Sequence, residues 1–236
     1  MRRLFLALGL ALAFQLAVGA SVASATSVSL LDQANTALEP FDGPYGNVDI
    51  VLDATKKIAT FTVSGLIDPS NTYQYLLGDG NTFAFNATQA VTIDSISFTG
   101  GCTGVGCPAG GTSITLGAAN QNVSDFGNFV YVFENTDGNT NAVTSLSFTA
   151  TALNPFADVF SVLAGNTDGY DAATHIFVKN IVTGQLDALA TGFAGELEGG
   201  SGGGGQTAAT PEPASLLLLG TGLAFVARRV RRRKAI

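Results

Sequence analysis

Val48-Asp-Ile-Val-Leu-Asp-Ala-Thr-Lys-Lys-Ile-Ala-Thr-Phe-Thr-Val63 decides the fold class. Val48–Asp53 and Ile58–Val63 are rich in β-branched and aromatic residues, and Ala54-Thr-Lys-Lys57 between them is turn-like. Two such runs around a short polar break predict a hairpin. The same grammar continues outward. Tyr73–Leu77 and Thr82–Phe85 flank the turn residues Gly78-Asp79-Gly80-Asn81. In Val91-Thr-Ile-Asp-Ser-Ile-Ser-Phe98, Val91 and Ile93 face a core, and Ile96 and Phe98 return to that face only through a bulge or register change. Phe129-Val-Tyr-Val-Phe133, Val143-Thr-Ser-Leu-Ser-Phe148 and His175-Ile-Phe-Val-Lys179 complete the set. Many short strands at this spacing predict an all-β domain, an antiparallel β-sandwich or jelly roll. Ala157–Leu163 is the one candidate for a short helical turn. Ala90–Thr99 and Ala142–Thr149 resemble each other, a weak internal repeat that strand composition explains nearly as well.

Charge is sorted along the 236 residues. Arg occurs only at positions 2, 3, 228, 229, 231, 232 and 233. From Thr26 to Ala209 there are 3 Lys against 17 carboxylates, a net charge of −14 with His175 neutral (3 − 17). Neutralising phosphates takes Lys or Arg, so this region is a poor partner for nucleic acid. Apolar residues make up 46% of the chain, enough to build a core.

Both ends read as processing segments. Arg2 and Arg3 precede the apolar run Leu4–Val18, and Ala23-Ser-Ala25 follows with small residues where a signal peptidase reads. Residues 1–25 therefore read as a secretory signal peptide cleaved after Ala25. At the other end Pro211-Glu212-Pro213 precedes the apolar run Ala214–Ala227, and Arg228, Arg229, Arg231, Arg232, Arg233 and Lys234 follow it. As a helix, those 14 apolar residues span about 21 Å, short of the roughly 30 Å hydrocarbon core. Snorkelling Arg side chains and the small cost of mismatch still allow a short hydrophobic membrane helix. The basic cluster keeps the tail cytoplasmic and the middle domain outside. The prolines hold their segment extended, which leaves it open to a processing enzyme.

This three-part end resembles the PEP-CTERM sorting signal, with Thr210 where many members have Val. The resemblance implies recognition by exosortase, a membrane-embedded cysteine transpeptidase-like enzyme. It also implies a bacterium that makes exopolysaccharide and biofilm matrix. The expected course is export across the inner membrane, membrane anchoring through the C-terminus, then processing and a cell-surface or extracellular end state. Exopolysaccharide is the further partner this suggests. Tyr75-Leu-Leu-Gly-Asp-Gly80, Gly169–Phe177 and Ala190–Gly195 resemble uncharacterised ectodomains of such proteins, a likeness that brings no activity with it. The organisation expected is 1–25 signal peptide, 26–195 ectodomain, 196–209 Gly-rich linker and 210–236 sorting and anchor segment. Gly199–Gly205 makes the linker flexible, with a reach of roughly 20 Å.

The middle offers little chemistry. Cys102 and Cys107 are the only cysteines, and in an exported chain a pair this close predicts a disulfide. His175 is the only histidine and no Gly-x-Ser-x-Gly occurs between Thr26 and Gly195, so a structural role is expected for it. No catalytic residue, metal ligand or cofactor is assigned. Calcium is the one ion that the oxygen-rich turns Asn166–Asp171 and Asp137–Asn141 would accept, without EF-hand spacing. The reading is a non-catalytic surface or matrix protein. A carbohydrate-binding module, marked by a row of exposed Tyr, and a secreted hydrolase, marked by two carboxylates in a cleft beside His175, are the alternatives.

Overall fold

A computed structural model describes residues 26–78, 80–100, 112–135, 141–183 and 189–197. The expected hairpin forms from β3 (Gly46–Leu52) and β4 (Ile58–Gly65), with Val48 opposite Val63 and Ile50 opposite Phe61. Side chains alternate across a strand, so one face collects Val48, Ile50, Ala59, Phe61 and Val63, all buried. Asp53 closes the turn. Its carboxylate accepts the N–H groups of Lys57 and Ile58 and the hydroxyl of Thr55. The Ile58 N–H, then the Thr55 hydroxyl, hold this carboxyl below its ordinary range.

Around this hairpin one layer assembles. β1 (Thr26–Leu31) joins β3, β12 (Val143–Ala152) joins β4, and β7 (Val91–Gly100) joins β12, giving the order β1-β3-β4-β12-β7. The second layer is built on β13 (Tyr170–Asn180). β14 (Ala190–Leu197) runs along one side of it, with β2 (Gln33–Ala34) beyond. Its other side is shared by β5 (Tyr73–Leu77) and β6 (Gly80–Phe85); β11 (Tyr131–Asn135) and β8 (Ile114–Leu116) follow. Every pairing is antiparallel, and the bridge of Val143 to Leu77 links the layers into one twelve-stranded sheet. The fold is thus the all-β sandwich that the strand pattern predicts.

Aromatic rings fill the space between the layers. Phe148 of β12 lies 4.6 Å from Phe61 in its own layer and 4.3 Å from Phe133 across the core, measured between ring centroids. Phe85 closes the cluster, 5.0 Å from Phe61 and 5.6 Å from Phe148. Offset and tilted pairs at these distances add to what burial of their area supplies. Gly65 marks the closest approach of backbones. A Cβ there would stand 2.0 Å from the Tyr75 carbonyl oxygen, so no larger residue fits where β4 leads into the loop before β5.

A second apolar cluster sits on the outer face of the second layer. Residues 117–130 cross it, carrying β9 (Gln121–Asn122), the 3₁₀ turn Ser124–Phe126 and β10 (Asn128–Phe129). They bury Val123, Phe126 and Phe129 against Ala84, Val132 and Ala173. Asn166 fastens this cover, its side-chain amide donating to the Phe126 carbonyl at 2.6 Å.

Several local expectations change. Tyr73–Leu77 and Thr82–Phe85 do not pair with each other across Gly78–Asn81. Both follow the same edge of β13, and Gly80 and Asn81 already belong to β6, paired with Asn135 and Glu134 of β11. Phe129–Phe133 breaks at Val130, whose N–H donates to the Asn86 side chain instead of a neighbouring strand. Ala157–Leu163 is not helical. There Asp158 and Ser161 bond each other's backbone N–H groups, a local bonding that competes with helix. Ser95, at φ +56°, supplies the expected bulge in β7, and Val91, Ile93 and Ile96 pack against the core. Phe98, at 38% exposure, is only partly covered. β14 continues through Glu196 and Leu197, two residues beyond the Gly195 boundary read from sequence.

Candidate functional site

Pro211, Glu212, Pro213 and the basic residues Arg228, Arg229, Arg231, Arg232, Arg233 and Lys234 lie outside the described residues. So do Ala25, Cys102 and Cys107, and Asp137–Thr140 of one oxygen-rich turn. Within the sandwich, the titratable group most altered by its surroundings is Glu196. It is 3% exposed on β14, opposite Ala172 of β13. Alternation puts it on the same face of the strand as Ala194, toward the core. Burial, then the charges of Asp32 and Asp171, push its carboxyl up to about 8. Asp32 comes from the bend between β1 and β2, and Asp171 from the bulge where the β13–β14 register shifts.

This arrangement holds a proton on Glu196 at neutral pH. General acid catalysis also needs a second group placed across a reacting atom. His175 does not supply it. His175 pairs with Phe193, three residues along the ladder from the Glu196 pair, about 10 Å away, and on the opposite face. Its ring stacks on Phe193 at 4.4 Å and lies 5.1 Å from Phe177; its Nε2 is 2.6 Å from the Thr191 hydroxyl. The lone histidine therefore packs into the β13–β14 surface, as a structural residue does. Glu196 escaped the sequence reading because Glu-Leu-Glu-Gly-Gly looks like the start of the linker. The only available signal was its continuation of the β14 alternation from Ala190 and Ala194.

The five tyrosines do not form an exposed row. Tyr45 and Tyr75 are buried, their hydroxyls donating to the carbonyls of Phe41 and Asp42. The Tyr131 hydroxyl accepts the Val91 N–H, and its ring stacks on Phe85. Tyr73 packs edge-on against Phe41, and Tyr170 against Phe126. The turn at Asn166–Asp171 is also committed. The Asn166 side-chain oxygen accepts the N–H groups of Asp168 and Tyr170, while its amide holds the cover described above. Among the described residues no three His, Cys, Asp or Glu side chains gather as a metal-holding group. Nor is any helix there long and apolar enough to cross a membrane.

Fold and side-chain use together define an antiparallel β-sandwich followed directly by a Gly-rich segment and a proline-marked end. That end matches the PEP-CTERM protein-sorting motif over residues 209–233. The match makes the chain an exported protein sorted through its C-terminus, a substrate for an exosortase-type enzyme that associates with the membrane there. No curated protein and no solved structure matches the chain.

Proposed function

We propose that the chain is a non-catalytic surface or matrix protein, processed at Pro211-Glu212-Pro213 and carried into the exopolysaccharide around the cell. The observation that carries this reading is the sorting motif, which begins a dozen residues beyond the last strand of a closed sandwich. The side chains that a ligand site would need are spent on the fold. The tyrosines donate to or pack on core elements, Asn166 fastens the outer cover, and His175 stacks on Phe193. These uses weigh against the carbohydrate-binding and hydrolase readings, whose marks were a Tyr row and carboxylates beside His175. The acidic surface keeps the sandwich soluble and dispersed.

The test is to replace Arg231–Lys234 with neutral residues and fractionate the cells. Accumulation of unprocessed chain in the membrane fraction is expected. Unchanged C-terminal processing and localisation would defeat the sorting half of the proposal. Export of processed chain that never co-sediments with the polysaccharide fraction would defeat the matrix half.

A further inference from the structure

β7 presents the long free edge of the sandwich. Among the described residues it pairs with β12 alone. The other edges are protected or short. β8 has three residues and β2 two, while β1 lies near β13 and β14; β7 in turn lies near β8 but does not pair with it. β7 has ten residues, no Pro and no Lys, so it lacks the devices that commonly blunt an edge except Asp94 and the bulge at Ser95. Both of those fall in its first half. Beyond the bulge, Ser97, Phe98, Thr99 and Gly100 are all exposed.

Phe98 shows what this stretch lacks. It lies opposite Leu146, a buried core residue, and shares the core-facing side of the strand with Ile96. Yet it remains 38% exposed, because the layer ends at β7. Its apolar surface stands at the open margin of the core.

The strand already paired with β7 shows which sequence suits it. β12 places Ser145, Leu146 and Ser147 against Thr99, Phe98 and Ser97, polar beside polar and apolar beside apolar. Ser97-Phe98-Thr99 of β7 offers that same order. An antiparallel edge is self-complementary about a two-fold axis.

We infer that two copies of this chain associate through the free edges of β7, antiparallel, with the two-fold axis at Phe98. In that register Phe98 faces Phe98 of the second copy. Ser97 faces Thr99, Ile96 faces Gly100, and each Asp94 lies outside the pairing. The two first layers become one sheet, and the two Phe98 rings cover each other at what was the open margin. Opposed side chains in such a pair stand about 4.5–5.5 Å apart at Cβ, within contact range for aromatic rings. The net charge of −14 on Thr26–Ala209 of each copy opposes the association, so it strengthens as salt screens that repulsion.

Sedimentation of the full chain in non-ionic detergent, from low micromolar to sub-millimolar, tests this at two salt concentrations. The expected result is a monomer–dimer equilibrium that shifts toward dimer at the higher salt. Phe98→Lys sets two like charges against each other at the axis, and the double variant Ser97→Glu/Thr99→Glu does so on either side of it, from exposed positions on the face of β7 opposite Phe98. Each should weaken dimerisation at least tenfold with circular dichroism and Tm unchanged. A chain that stays monomeric throughout would overturn the inference. So would a dimer that both variants leave intact, since that dimer would be held elsewhere, for example by the C-terminal segment.

Discussion

Glu196 shows how one residue can tie stability to pH. Its carboxyl is raised from its ordinary value to about 8 in the folded chain, so between about 4.5 and 8 the folded state binds a proton that the unfolded state has released. The associated stability is fully present below the unfolded value and is lost as pH rises through the folded one. The groups that face it are both acids, Asp32 from the β1–β2 bend and Asp171 from β13, so deprotonation adds a third negative charge. Glu196→Gln keeps the shape and removes the titration. Thermal melts from pH 4 to pH 9 should show native stability falling across neutrality and the variant holding nearly level. At pH 9 the variant should be more stable by on the order of 2 kcal/mol. Parallel curves would mean that Glu196 is charged in the folded chain. Asp53 lies at the other extreme, half-buried and held low by the backbone it caps, so what it contributes is lost in acid instead.

At the scale of elements, strands that read alike end in different places. β4 and β12 are flanked on both sides and their inward residues are buried. β7 carries nearly the sequence of β12 but lies at a margin, and most of it is exposed. The connection from β7 to β8 begins after Gly100, at φ +91°, and carries Cys102 and Cys107. We propose that Cys102 and Cys107 pair as a disulfide in the oxidising compartment that an exported chain meets. The loop it would close is short, so its removal should cost about 2 kcal/mol or less and leave the sandwich folded. Mass spectrometry of periplasm-expressed protein, with and without reductant, should show a two-hydrogen difference between the forms. Two free thiols in the native protein would exclude the bond. Complete unfolding on reduction would show that it anchors far more than its own loop.

For the whole molecule, the buried residues of the main core cluster all fall within residues 31–194. The ring cluster of Phe61, Phe83, Phe85, Phe133 and Phe148 draws on β4, β6, β11 and β12. A segment spanning 26–197 should therefore be soluble, with a strand-dominated far-ultraviolet spectrum and one cooperative melt. Truncation at Gly195 should be less stable, because it removes Glu196 and Leu197, which pair with Ala172 and Tyr170. A helix-dominated spectrum, or equal melts for the two segments, would contradict the account of β14.

Sequence alone determined the fold class, since alternation in Val48–Val63, Val143–Phe148 and their like permits only half-buried strands. It determined the sorting end as well, because Pro211-Glu212-Pro213, the apolar run and the basic cluster are contiguous and need no folding to be read. Tertiary structure decided everything that depends on neighbours distant in the chain. Gly78–Asn81 looks like a hairpin turn, and only the long-range pairing sets Tyr73–Leu77 and Thr82–Phe85 along one edge of β13 and Gly80 and Asn81 beside β11. Phe98 and Phe148 occupy like positions in like segments, and only strand order leaves one at the margin and the other at the centre of the core. Glu196 reads as linker, and only its pairing with Ala172 buries it beside Asp32 and Asp171. Local pattern reports which face of a strand is apolar. Which strand lies beside it is set by long-range pairing, and that determines what each face finally meets.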